Sequence, residues 1–162
     1  IMNSMLFGGD YASLDDGGQR QISNLKAGDQ VWSLSSDGKQ LIEDEIMCIA
    51  HTAPNALSLL LHNQFYHKFI LNLANFYTFT TSQGQVISLT DQHFLIVIHP
   101  NEKQIKTIAA SKVTLEHQLF TVDQIVNISN IVIIQRVGYY SPITLSGYLL
   151  VNNISTSVYS DM

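Results

Sequence analysis

The sequence predicts an all-β domain rich in hairpins, and three observations support this prediction. Short apolar stretches alternate with turn residues along most of the chain. The stretches in the second half are rich in Ile, Val, Thr and Tyr, which suit a pleated and half-buried surface. Few segments combine the length and the apolar spacing of an ordinary helix. A chain of 162 residues also favours a single domain with a full hydrophobic core.

The first part of the chain divides into short strands joined by tight turns. Turn sequences such as Asp16-Gly17-Gly18 separate its apolar stretches. Asp37-Gly38 predicts a hairpin turn whose central residues need positive φ. The apolar stretches are 11–14, 22–25, 31–34, 41–42 and 46–50, and the last of them predicts a buried strand.

The stretch from Ala56 to Asn75 is the exception to the β pattern. Its apolar residues are spaced as on one face of a helix, although no capping residue marks its ends. These residues are Leu57, Leu60, Leu61, Tyr66, Phe69, Ile70, Leu73 and Phe76. We interpret residues 57–76 as an insertion in the β domain.

Hairpin elements return in the second half of the chain. Turns are predicted at Ser82-Gln83-Gly84 and at His99-Pro100-Asn101, and residues 109–113 have the pattern of one helical turn. The predicted strands are 76–81, 86–89, 94–98, 105–108, 118–122, 125–137 and 148–151.

Charge and hydropathy limit the classes of partner. The chain has 8 Lys+Arg against 13 Asp+Glu, a net charge of -5, and no basic cluster that would follow a phosphate backbone. We therefore expect no nucleic-acid partner. Polar residues interrupt every apolar stretch well before the roughly 18 residues that a membrane span requires, so neither a span nor a signal peptide is predicted.

Cysteine and histidine usage gives no sign of a metal site, and we expect neither a metal nor a cofactor. Cys48 is the only cysteine, so this chain alone cannot form an intrachain disulfide or a cysteine-rich zinc site. Its place within a predicted strand predicts a buried structural thiol. Surface or packing roles are expected for His62, His67, His99 and His117.

The sequence Thr90-Asp91-Gln92-His93 is the clearest local candidate for chemistry. It lies between two predicted strands, and a hydroxyl and an imidazole three residues apart on a turn can point at one carbonyl or leaving group. On turn chemistry alone, the favoured role of Thr90 and His93 is to satisfy backbone groups of the turn, because this spacing is weak evidence by itself. The local sequence leaves both readings open.

Three blocks of sequence together resemble the Hint domain of hedgehog proteins, an autoprocessing module that shares its fold with inteins. They are LFGGDYASLDDGGQRQISNLKAGDQVWSLSSDG at 6–38, ISLTDQHFLIV at 87–97 and YYSPITLSGYLLVNNISTSVYS at 139–160. The first contains the family's I-x-x-L-x-x-G-D, and the last is similar to its A-P-L-T-x-x-G-T-I-V-V-N ending. The resemblance implies a Hint fold of two similar halves, about 10–75 and 76–160, related by a pseudo-two-fold axis.

The resemblance also implies a chemistry and shows where this chain departs from it. Family members use an N-terminal cysteine that attacks the preceding carbonyl to form an internal thioester. Thr90 would hydrogen-bond the scissile amide, and His93 would protonate the departing nitrogen. Gapless alignment puts Met5 at the nucleophile position, and anchoring on Gly9-Asp10 puts Leu6 there. Neither side chain is a nucleophile, so the chain is expected to be inactive in this step.

Two further positions differ from the hedgehog pattern. Where hedgehog domains carry the aspartate that activates the cholesterol hydroxyl, gapless alignment gives Ala50 and a one-residue slip gives His51, which could still act as a base. Val158 stands at the family's cysteine near the closing block. The sterol-recognition region that follows the Hint domain in hedgehog proteins is not present in these residues, so a sterol acceptor has little support.

We therefore expect residues 1–4 to be a remnant of an upstream segment and residues 5–162 to form the Hint domain. The first hypothesis is hedgehog-type autoprocessing, with the upstream segment as intramolecular substrate, a thiol or sterol as acceptor, a monomeric state, and secretion by family resemblance. The alternative is a catalytically dead β-rich binding module that uses the apolar insertion 57–76 as a partner surface. A small β-barrel carrier or lectin would require the matching blocks to be coincidence.

Overall fold

The computed structural model describes residues 5–53 and 73–160, and it confirms the all-β prediction. The strands are β1 Leu6–Phe7, β2 Tyr11–Ser13, β3 Gln19–Gln21, β4 Gln30–Leu34, β5 Leu41–Ala53, β6 Leu73–Thr81, β7 Val86–Thr90, β8 His93–Ile98, β9 Ile105–Ala109, β10 Gln118–Phe120, β11 Ile125–Val137, β12 Tyr139–Thr144, β13 Tyr148–Val151 and β14 Ile154–Ser160. Short 3₁₀ turns occupy Ile22–Asn24 and Ala110–Lys112. No helix in the described ranges is long and apolar enough to cross a membrane.

The described strands follow one hydrogen-bonded path, β3-β2-β13-β14-β8-β10-β11-β6-β7-β1-β12-β5-β4, with β9 paired to β8. Strands from the two halves of the chain interleave, since β2 pairs with β13 and β5 pairs with β12. The short N-terminal strand β1 lies between β7 and β12. The start of the domain is therefore held inside the sheet rather than at its edge.

The I-x-x-L-x-x-G-D motif builds a turn against the core. Ile22 and Leu25 are buried, and Gly28 has a positive φ of 89°, which glycine adopts without strain. The carboxylate of Asp29 accepts a hydrogen bond from the Lys26 N–H at 2.9 Å and pairs with Arg20 at 2.5 Å. This motif serves the fold and contributes no side chain to a reaction site.

The Asp37-Gly38 hairpin forms, but its backbone differs from the prediction. Only Gly38 has a positive φ, at 69°, and its N–H donates to the Ser35 carbonyl at 2.8 Å. The Asp37 carboxylate accepts the Lys39 N–H at 3.1 Å. This side-chain bond stabilises a turn in which Asp37 keeps a negative φ, so the prediction of two positive φ values was wrong.

Strand β5 is one long strand where the sequence predicted two short ones. The acidic stretch in its middle is accommodated because the Asp44 carboxylate accepts N–H groups from Leu145 at 3.1 Å and Ser146 at 3.2 Å. A register shift follows, since Ile46 pairs with Thr144 while Cys48 pairs with Ile143. This bulge breaks the in-out alternation of the strand.

The bulge overturns the prediction of a buried cysteine. Cys48 lies within a strand as predicted, but its side chain is exposed. In a regular strand Cys48 would face the same side as the fully buried Ile46, two residues earlier. The extra residue at Met47 removes that relation, and Met47 itself is 49% exposed.

Most of the predicted insertion lies outside the described residues. Of residues 57–76, only Leu73 to Phe76 are described, and they form the start of β6. The helical spacing that included Leu73 and Phe76 was therefore wrong at this end. Phe76 is fully buried because its strand packs in the sheet beside β7 and β11.

Candidate functional site

Met5 lies against Thr90 at the point where the chain enters the sheet. The Met5 N–H donates to Thr90 Oγ1 at 3.1 Å, and the Met5 carbonyl accepts the Thr90 N–H at 3.1 Å. One residue further on, Leu6 pairs with Leu89. The Thr90 side chain therefore contacts the Met5 amide, as the family resemblance implied.

A row of residues crosses four neighbouring strands at this point. Leu6 pairs with Tyr140 of β12, so continuing the register by one residue sets Met5 opposite Ser141. On its other side, Ser141 faces a bulge of β5, where Ala50 and His51 lie between two paired positions. The backbone thus brings Thr90, Met5 and His51 into one region, and it adds Ser141, which sequence reasoning missed.

Leu6 is a poor alternative for the nucleophile position. Its side chain is 1% exposed and belongs to the main hydrophobic core together with Leu89 and Tyr140. Met5 is half-buried and faces the opposite side of β1, because side chains alternate along a strand. Burial therefore makes Leu6 less accessible than Met5, the other position that alignment gave.

His93 is buried and oriented by the last strand. Its Nε2 lies 2.7 Å from the Ser157 carbonyl and 3.0 Å from Thr156 Oγ1. A carbonyl only accepts hydrogen bonds, so Nε2 carries the proton and Nδ1 holds the lone pair of the neutral ring. Burial lowers the pKa of His93 from 6.5 to about 4, against the opposing effect of the hydrogen bond to Ser157. At neutral pH His93 is therefore a base.

Asp10 is a second buried ionisable group near β1, and sequence reasoning did not single it out. Its carboxylate accepts the Ser88 N–H at 3.0 Å, two residues before Thr90. Burial raises the pKa of Asp10 to about 6, although the Ser88 N–H, Asn152 and the charge of Arg136 each lower it. The local sequence gave no signal for it, because its burial depends on contact with β7.

The remaining candidate residues lie apart from this region or outside the described ranges. Val158 is buried in the main core. His99 and His117 stack edge to face at 5.7 Å beside Glu116, and His62 and His67 are not described. Among the described side chains, no group of at least three His, Cys, Asp or Glu is arranged to hold a metal ion.

The family assignment follows from a match over almost the whole chain. The Hint module family matches residues 6–162. This chain belongs to the Hint family. The chain is 26% identical over 160 residues to Warthog protein 4 of Caenorhabditis elegans, covering 90% of this chain and 26% of that protein. Sonic hedgehog protein of Danio rerio is 27% identical over 163 residues, with 94% and 35% covered. The chain thus spans about a quarter to a third of the length of these relatives.

Solved structures show the same fold in inteins. A DnaB intein from Synechocystis sp. PCC 6803 superposes with a TM-score of 0.70 at 14% identity, covering 98% of this chain and 99% of the intein. A bacterial intein-like domain from Clostridium thermocellum gives a TM-score of 0.68 at 15% identity, with 97% and 99% covered. The predicted Hint fold is confirmed, and the chain is related to hedgehog proteins and shares its fold with inteins.

Proposed function

We propose that this chain is an autoprocessing module of the hedgehog type in which the thioester step is missing. The substrate is the chain's own upstream segment, and the bond concerned joins Ser4 to Met5. The observation that carries the proposal is the 3.1 Å hydrogen bond from the Met5 N–H to Thr90 Oγ1, because it sets the Thr90 hydroxyl on the nitrogen of that bond. The side chain at position 5 is a thioether, which has no proton to lose and cannot form a thioester.

Thr90 and His93 divide the work of amide cleavage between them. Thr90 accepts the Met5 N–H at its Oγ1 and so fixes the orientation of that nitrogen. The neutral His93 ring takes a proton from an attacking group and passes it to the departing nitrogen. Its lowered pKa keeps the ring unprotonated at neutral pH and makes the protonated ring a strong acid, which suits the second of these two transfers. The hydrogen bond from Nε2 to the Ser157 carbonyl fixes which ring nitrogen does this.

The single thiol of the chain does not replace the missing nucleophile. Cys48 pairs with Ile143 of β12, two residues beyond Ser141, and its side chain is exposed. It therefore lies outside the row that contains Met5. We infer that thiols such as dithiothreitol do not release the upstream segment from this chain.

The acceptor and the location of the protein follow from the same proposal. In a variant with the thiol restored, water or a small thiol would complete the release, and His51 is the candidate base on the β5 side of the row. We infer secretion from the relationship to hedgehog proteins, and a monomer because the substrate is intramolecular.

The test is restoration of the thiol. A fusion of a small reporter to the full chain is prepared as wild type, Met5→Cys and Met5→Ala, and each is incubated with dithiothreitol and followed by mass spectrometry. We expect release of the reporter at the Ser4–Met5 bond from Met5→Cys only. The Met5→Ala variant controls for loss of the methionine side chain without gain of a nucleophile.

An intact Met5→Cys fusion in a chain with a cooperative thermal transition would contradict the proposal. That result would favour the binding module, whose partner surface would then be sought in residues 57–76. Release from wild type that depends on added thiol would also contradict it, because Cys48 would then be reacting.

A further inference from the structure

We propose that Ser141 is an oxygen nucleophile that takes the place of the missing thiol, so that the upstream segment can shift from the Met5 nitrogen onto the Ser141 hydroxyl. The inference rests on the proposed function only for the identity of the reacting bond. It assigns to this chain a catalytic residue on β12, a strand that does not contain the usual nucleophile.

The position of Ser141 follows from the ladder between β1 and β12. Leu6 pairs with Tyr140, Phe7 pairs with Tyr139, and the Gly8 N–H donates to Gly138 at 3.1 Å. Because hydrogen-bonded and non-hydrogen-bonded pairs alternate, Met5 and Ser141 form a non-hydrogen-bonded pair, in which side chains approach most closely. Their Cβ atoms are expected roughly 4.5–5.5 Å apart and on the same face.

The Ser141 hydroxyl is buried and has no hydrogen-bond partner among the described residues. Its residue is 2% exposed, and within residues 5–53 and 73–160 its Oγ finds no hydrogen bond. Buried hydroxyls are usually satisfied, because leaving one unpaired costs about 1–3 kcal/mol. An unpaired hydroxyl next to a reacting amide is available to that amide, and it keeps its lone pairs free for attack.

The neighbouring residues fit the same role. Thr90 contacts Met5 from β7, on the side opposite Ser141. The β5 bulge at residues 50–51 lies beside Ser141, and bulges occur preferentially next to active sites, where they redirect side chains.

The proposed step conserves atoms and charge. Ser141 Oγ attacks the carbonyl carbon of Ser4 and forms a C–O bond, and the C–N bond to Met5 breaks. The hydroxyl proton is transferred to the departing nitrogen, which becomes the free amine of Met5. The product is an ester between the upstream segment and Ser141. Since an amide is more stable than an ester, the ester accumulates only when a stronger nucleophile removes it.

Hydroxylamine is the trap that tests this step. The reporter fusion of the full chain is incubated with hydroxylamine near neutral pH as wild type, Ser141→Ala and Ser155→Ala, and mass spectrometry detects the Ser4 hydroxamate. Ser155 is the matched control, because its Oγ is also buried and unpartnered but lies on β14. We expect wild type and Ser155→Ala to release the hydroxamate at similar rates and Ser141→Ala to be slower by about tenfold or more.

A Ser141→Cys variant gives a second, independent readout. Its thiol would form a thioester, so reporter release should respond to dithiothreitol, unlike release from wild type. Equal hydroxamate release from Ser141→Ala and wild type, or no release from either wild type or a folded Ser141→Cys, would overturn the inference. The Met5→Cys, Ser141→Ala double variant separates the two proposals, since it still cleaves with thiol if only Ser141 has been assigned wrongly.

Discussion

His93 at the start of β8 and Asp10 after β1 are both buried ionisable groups, and burial shifts their pKa values in opposite directions. Desolvation lowers the pKa of His93 to about 4 and raises the pKa of Asp10 to about 6. Each shift favours the uncharged form. At neutral pH His93 is therefore in the neutral form that burial favours, whereas Asp10 is mostly ionised in a buried environment that disfavours its charge. The first state serves proton transfer, and the second lowers stability.

The largest expected difference between His93 and Asp10 is the effect of their substitution on the rate of cleavage. In the Met5→Cys fusion, His93→Ala should slow reporter release by about 10²–10⁴-fold, the usual contribution of a general acid–base. Asp10→Asn should change the rate much less, because Asp10 contacts the Ser88 N–H and not the reacting bond. The rates are measured by gel densitometry on folded protein. A larger effect from Asp10→Asn than from His93→Ala would reverse the assignment of roles.

The next effect is on stability between pH 4 and 6.5. Between pH 4 and 6.5, His93 is protonated in the unfolded chain and neutral in the folded one. Its contribution therefore makes the free energy of unfolding rise with pH over this range. Between pH 4 and 6, Asp10 is protonated in the folded chain and ionised in the unfolded one. Its contribution therefore makes the free energy of unfolding fall as pH rises over this range. Each contribution changes the free energy of unfolding by about 3 kcal/mol over its pH range, and in wild type the two changes largely cancel.

Single substitutions isolate the pH-dependent contribution of each residue, and urea unfolding at several pH values measures it. Asp10→Asn should gain up to about 3 kcal/mol between pH 4 and 6.5, since only the histidine contribution remains. His93→Gln should lose up to about 3 kcal/mol between pH 4 and 6, since only the aspartate contribution remains. Parallel pH profiles for the two variants would show that burial does not control these groups.

Local patterns predicted much of the fold, because hairpins are encoded by neighbouring residues. Residues 125–137 and 148–151 form β11 and β13 with the predicted bounds, and the helical turn near 110 is present. The errors occur where contacts with a strand distant in sequence determine the local structure. The acidic interior of β5 is stable only because Asp44 receives N–H groups from the loop after β12. Cys48 is exposed because β12 imposes a bulge.

The site was predictable only as far as its motif and family pattern extended. Thr90 and His93 follow from T-x-x-H, and Met5 follows from alignment. Ser141 comes from a cross-strand register, which depends on the pairing of β1 with β12 and leaves no mark in the local sequence. Asp10 was missed for a related reason, since its burial is created by contact with β7.

The most direct test of this account is the titration of His93 by NMR of the imidazole nitrogens in the intact chain. We expect a neutral ring at pH 7 with the proton on Nε2, held by Ser157, and a pKa near 4. Such a ring can accept a proton from an attacking group. A pKa close to 6.5 would contradict the burial of the ring. A neutral ring with its proton on Nδ1 would contradict the proposed chemistry, because Nδ1 would then have no lone pair with which to accept a proton.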